Sequence, residues 1–93
     1  MKEFEQFEEK VFSGFISDPE IKYLDSGSNV TKFAIPLKKN KDDEPIWLNC
    51  ELWNKDTFAE EHRKGDFVTV TGSFKQETYQ EKTYTKFKVS SYR

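Results

Sequence analysis

The sequence predicts an all-β protein: a five-stranded Greek-key barrel with one short helix between strands three and four. Three observations carry this. Short runs of apolar–polar alternation recur along the chain and are bounded by turn residues. One run, Ile46–Trp53, alternates for eight residues without a break. A single stretch, 54–64, has helical spacing between start and stop signals.

The chain has 93 residues, which makes one domain able to bury a modest core without metal or disulfide staples. A third of the residues are charged, yet nine Phe, four Tyr and two Trp argue against disorder. The lone cysteine, Cys50, excludes an internal disulfide and suits a reducing compartment. No apolar run is long enough for a membrane span or a signal-peptide core.

Taken in order, residues 1–10 form an acidic N-terminal extension, with Phe4, Phe7 and Val11 at helical spacing. The extension carries the net charge of −2, so the body, 11–93, is formally neutral. Val11–Ile16 is a short strand with Gly14 inside it, the mark of a bend or a close backbone approach. Asp18-Pro19-Glu20 is a turn, Ile21–Leu24 is briefly extended, and Asp25–Ser28 turns again. Asn29–Leu37 is the second strand, with Phe33, Ile35 and Leu37 on one face and Lys32, Ala34 and Pro36 on the other. Pro36 has no N–H to donate, so the strand should be unpaired on one side there, or bulged. Lys38–Pro45 is a polar hairpin tip.

Ile46–Trp53 follows as the third strand. Ile46, Leu48, Cys50 and Leu52 point one way, an ordinary core face. Trp47, Asn49, Glu51 and Trp53 point the other, a polar face that carries both tryptophans. Residues 54–64 are the helix: Asn54, Asp56 and Thr57 are candidate N-caps, and Thr57 with Glu60 could form a capping box. Phe58, Ala59 and His62 form its inward stripe, and Gly65 is the expected stop. Phe67–Phe74 is the fourth strand, again with an internal glycine, Gly72. Lys75–Lys82 is a long hairpin arm with Tyr79 near its middle, and Thr83–Ser90 is the last strand. There Thr85, Phe87 and Val89 face in, and Tyr84, Lys86 and Lys88 face out. Five strands with the helix after the third describe the OB-fold, whose middle-strand face and hairpins bind oligonucleotides or oligosaccharides.

Several segments in their order also resemble the bacterial single-stranded-DNA-binding protein family. They are Ser17-Asp18-Pro19-Glu20-Ile21-Lys22-Tyr23 with Ser26-Gly27, and the strand through Val30, Phe33 and Ile35. Trp47, Leu48, Cys50 and Trp53, then Arg63-Lys64-Gly65-Asp66 and Val70-Thr71-Gly72, complete the set. The resemblance covers roughly Val11–Ser90. It implies base stacking on Trp47, Trp53 and Tyr79. A further family aromatic is expected after the second strand, where this chain reads Lys38-Lys39-Asn40-Lys41. The family's acidic C-terminal tail, which recruits replication proteins, is expected to be lacking.

The residues point to the same face independently. Trp47, Trp53 and Tyr84 stand among Lys32, Lys86 and Lys88, with Tyr79 and Lys75 on a hairpin able to cover the groove. Aromatics interleaved with lysines suit a single strand, whose bases stack while its phosphates need counter-charge. The expected site is therefore Trp47, Trp53, Tyr79, Tyr84, Lys32, Lys38, Lys75, Lys86 and Lys88. Glu51 is the discordant member, expected to pair with Lys32 or Lys86. Cys50 reads as a small core residue and His62 as packing under the barrel.

No metal cluster, nucleophile–base pair or phosphate loop is spaced for catalysis, so no enzyme and no cofactor are expected. The expected function is non-catalytic, largely sequence-independent binding of single-stranded DNA in replication, recombination or repair. Two alternatives stand beside it: an OB-fold protein-interaction module of a replication complex, which uses the tryptophan face or the Phe4/Phe7 extension to bind a replication protein, and a single-stranded RNA binder. The resemblance further implies a homo-oligomer, dimer or tetramer, replication or recombination proteins as partners, and a cytoplasmic, nucleoid-associated location.

Overall fold

A computed structural model describes residues 9–38 and 40–93. The expected helical spacing of Phe4 and Phe7 lies outside the described residues, as does Lys39. The described elements are β1 (Lys10–Phe15), β2 (Glu20–Tyr23), β3 (Asn29–Leu37), β4 (Ile46–Trp53), α1 (Thr57–Glu61), β5 (Phe67–Tyr79) and β6 (Lys82–Tyr92).

All six strands belong to one sheet in the order β1-β5-β6-β4-β3-β2. Every pairing is antiparallel except β4 with β6, which run parallel over Cys50↔Phe87 and Glu51↔Lys88. The end of β1 meets β3: the Ser17 N–H donates to the Ala34 carbonyl at 2.8 Å, and the Ala34 N–H donates to Ser17 Oγ at 2.8 Å. The all-β barrel expectation holds. The count is six strands because the extended piece at Ile21 pairs with β3, from Glu20↔Lys32 to Tyr23↔Asn29. That pairing ends before Pro36, whose missing donor therefore costs nothing on the β2 side.

The core forms where the inward faces converge. Ile35 of β3, Leu48, Cys50 and Leu52 of β4, Val68 and Val70 of β5, and Phe87 of β6 are buried. Phe58 of α1 is fully buried, stacked on Phe33 at 4.7 Å and on His62 at 4.3 Å, with the Tyr92 ring edge-on at 4.8 Å. The helix thus plugs the barrel, with His62 beneath it as the sequence suggested. Ile46, at the end of the strand's core face, is exposed.

Two glycines are required by close approach. A side chain at Gly14 would put its Cβ 2.6 Å from Ile35 Cγ2. At Gly72 it would collide with the Lys88 carbonyl oxygen and lie 2.9 Å from Val89 Cα. Gly72 also marks a bulge: Thr71 pairs with Ser91 and Gly72 with Val89, which leaves Ser90 as the extra residue. The Ser90 hydroxyl donates to the Thr71 carbonyl at 3.0 Å. The bulge bends the hairpin, so β5 and β6 serve both the core and the outer face.

The helix is shorter than its sequence signals. Asn54 has φ 57, donates its N–H to the Asn29 carbonyl at 2.8 Å, and accepts from the Asn29 N–H at 3.1 Å through Oδ1. Asn54 thereby ends β4 instead of capping the helix. Asp56 occupies the N-cap position without a side-chain cap bond, so the capping box does not form. The helix stops at Glu61 because the Arg63–Asp66 turn begins: Asp66 accepts from the Arg63 N–H at 3.0 Å, and Gly65 sits at φ 92 inside that turn.

The β5–β6 ladder runs further than expected, to Tyr79↔Lys82. Gln80 and Glu81 close it with φ 51 and 66, a tight two-residue turn. Tyr79 therefore stands at the tip of the arm and not at its middle. Among the described residues, no helix is long and apolar enough to cross a membrane.

Burial pushes the Cys50 thiol up from its ordinary 9.0 to about 12. The unfolded chain loses this proton first as pH rises. The stability contributed by the neutral thiol is therefore complete below pH 9.0 and lost progressively towards pH 12. Urea midpoints over that window should fall more steeply for the wild type than for Cys50→Ala; parallel curves would show that the thiol is not desolvated.

Candidate nucleic-acid interface

Strand register decides which side chains share the outer face. Trp47, Asn49, Glu51 and Trp53 of β4 lie opposite Pro36, Ala34, Lys32 and Val30 of β3. Beyond β3, Lys22 pairs with Val30 and Glu20 with Lys32. On the other flank Glu51 is level with Lys88 of β6, and Lys88, Lys86 and Tyr84 pair with Ser73, Lys75 and Glu77 of β5. Tyr79 follows Glu77 on the same face. Eight of the nine sequence-predicted residues thus stand on one continuous surface. The ninth, Lys38, lies just beyond the end of β3, in a separate hollow with Asp43, Glu44 and Ile46.

The aromatics are available in different degrees. Trp47 is 52% exposed and Trp53 38%, while Tyr79 and Tyr84 are also exposed. The two tryptophans are six residues apart on one strand, about 20 Å. One base cannot touch both, so each would serve a different nucleotide.

Two grooves cross this face. One, of about 360 Å³, holds Trp53 with Lys22, Lys32, Lys75, Lys86 and Lys88. The other, of about 580 Å³, has Tyr84 and Asn49 at its sides and reaches towards Phe33 and Cys50. Lys32, Glu51 and Lys86 line both, so this row forms the wall between them.

Glu51 is only 8% exposed. Its Oε2 lies 3.1 Å from Lys86 Nζ and 3.9 Å from Lys32 Nζ, so it engages both expected partners, Lys86 the more closely. Lys86 Nζ also lies 3.2 Å from Glu77 Oε1. The Glu51 carboxylate, then that of Glu77, holds the Lys86 ammonium above its ordinary 10.5. A nearly buried carboxylate needs such pairing, because an unpaired charge there is costly.

Sequence reasoning missed Lys22, which lines the Trp53 groove. The signal was present in the extended piece around Ile21, but its face depends on pairing with Val30, which local sequence does not reveal. Among the described strand residues, six lysines of the outer face (Lys22, Lys32, Lys75, Lys82, Lys86, Lys88) stand against three glutamates (Glu20, Glu51, Glu77). A neutral body therefore presents a basic, aromatic face.

Comparison with known proteins finds relatives by sequence and by fold. The sequence model described as "Single-strand binding protein family" matches residues 11–92. A protein of Thermosynechococcus vestitus named "Single-stranded DNA-binding protein" is 35% identical over 68 residues, covering 70% of this chain and 57% of the relative. "Single-stranded DNA-binding protein 1" of a Synechocystis species is 30% identical over 70 residues, covering 70% and 58%. The chain thus spans under two thirds of the length of these relatives. The crystal structure of the SSB domain of a Synechococcus protein shares the fold, with a TM-score of 0.73 at 15% identity, covering 90% of this chain and 91% of that domain.

Trp53 lies on the surface and not in the core. Trp53→Ala should cost about 1–2 kcal/mol, against about 3–5 kcal/mol for the fully buried Phe58→Ala. Urea denaturation followed by far-ultraviolet circular dichroism measures both. Equal losses would place Trp53 in the core.

Proposed function

The chain belongs to the single-strand binding protein family, and from that premise we propose that it binds single-stranded DNA without catalysis and with little sequence preference. The observation that carries this reading is the Trp53 groove, where an exposed indole is ringed by lysines from β2, β3, β5 and β6. Trp53, Trp47, Tyr84 and Tyr79 serve as stacking surfaces, each contributing about 1–3 kcal/mol per base. Lys22, Lys32, Lys75 and Lys88 supply phosphate counter-charge; Lys38 extends it beyond the end of β3. Such binding tolerates any sequence, because every base has a flat face to stack.

The setting is replication, recombination or repair, where single strands are exposed, and so the cytoplasm with its nucleoid. Residues 1–10 act as an acidic extension of the 11–93 body, although Lys10 already enters β1; the start of the family match at residue 11 supports that division.

The working unit is a homo-oligomer, dimer or tetramer. Its support is an apolar patch away from the site: Val11, Phe15 and Phe67 are exposed, and the two phenylalanine rings meet edge-on at 5.2 Å. Patches of this kind mark protein contacts. Light scattering should give two or four copies for the wild type and one for a Phe15→Glu/Phe67→Glu variant. A wild-type monomer would remove the oligomer from the account.

Titration with oligo-dT tests the binding itself. Tryptophan fluorescence should be quenched at low salt and recover as salt is added, with log K falling by about 0.7 per phosphate contact for each tenfold rise in salt. Unchanged emission at micromolar protein would overturn the reading.

A further inference from the structure

We propose that Glu77, acting with Glu51, withdraws Lys86 from phosphate binding and so sets the affinity and salt sensitivity of the face. The proposal rests on the single-strand-binding reading above and goes beyond it in assigning a role to an acidic residue. Lys86 has its ammonium at hydrogen-bond distance from two carboxylates, 3.1 Å to Glu51 and 3.2 Å to Glu77. Two carboxylates already neutralise this ammonium and take two of its three N–H donors, so a phosphate approaching it meets two negative charges. A phosphate that drew the ammonium away would strip Glu51, nearly buried, of its nearer partner, leaving only Lys32 at 3.9 Å. Loss of one partner from a buried pair is costly.

The neighbouring lysines differ. Among the described residues no ion pair at 4.0 Å or less holds Lys22, Lys75 or Lys88, although all three line the Trp53 groove with Lys86. Lys32 is held only loosely, at 3.9 Å. Position on the face alone would rank Lys86 with the others; the ion pairs remove it from the set. Glu77 is the adjustable partner. It is about half exposed, whereas Glu51 sits at the β4–β6 contact. Neutralising Glu77 leaves Glu51 paired to one N–H of Lys86, keeps the wall intact, and frees another N–H of the same ammonium for a phosphate.

The test compares the full chain with Glu77→Gln, Lys88→Gln and Glu60→Gln, the last a charge-matched control on the exposed surface of the helix. Oligo-dT affinity is read by tryptophan quenching between about 50 and 200 mM salt. E77Q should bind more tightly and steepen the salt slope by about 0.7, so its advantage over wild type shrinks about threefold across that range. K88Q should flatten the slope by about the same amount, and E60Q should leave it unchanged. Lys86→Gln should leave the wild-type slope as it is but erase the gain in an E77Q background. Where K86Q does not fold, E77Q against E60Q decides the matter. A wild type that binds with a normal salt slope, together with an E77Q slope equal to it or matched by E60Q, overturns the proposal and leaves the binding reading standing. A wild type that does not bind overturns both.

Discussion

The Glu51 carboxylate holds the outer face together. It sits nearly buried where β4 and β6 run parallel, and it is paired to Lys86 of β6 and, more loosely, to Lys32 of β3. A charge in that position has to be paired, so the carboxylate holds Lys86 firmly, and Lys32 loosely, beside β4. The row that results is the wall between the Trp53 groove and the Tyr84 groove. On the opposite face of the same strand, Leu48, Cys50 and Leu52 are core. One eight-residue strand therefore supplies the packed interior on one side and the organised surface on the other.

Period-two alternation made most of this legible in the sequence. Ile46–Trp53 announced a core face and an aromatic face, and burial follows that division except at Ile46 and Glu51. The glycine at position 72 signalled a bend, and the bulge with Ser90 is there. What escaped depends on partners distant in sequence. Lys22 acquires its place only through pairing with Val30. The helix is shorter than its signals because Asn54 spends its side chain and its N–H on Asn29. The hairpin ladder is longer than its signals because Gln80-Glu81 makes a tight turn without the glycine or asparagine that usually announces one. Alternation puts both candidate partners of Glu51 on the correct face, and only the distances, 3.1 Å to Lys86 and 3.9 Å to Lys32, separate them.

The charge balance follows the same logic. A net charge of −2 on the whole chain says little about a binding surface. Register collects six lysines and three glutamates on one face, and two of those glutamates already hold a lysine. Family membership and this local surplus lead to the same proposed partner, a strand whose bases stack and whose phosphates meet lysine.

Backbone amide shifts on addition of oligo-dT test the central claim most directly, because they locate contact without relying on any one residue. Large shifts are expected along β4 from Trp47 to Trp53, along β6 from Tyr84 to Lys88, and at Lys22 and Lys75. Little change is expected at Val11, Phe15 and Phe67. Shifts confined to that apolar patch, or none at saturating oligonucleotide, would contradict it.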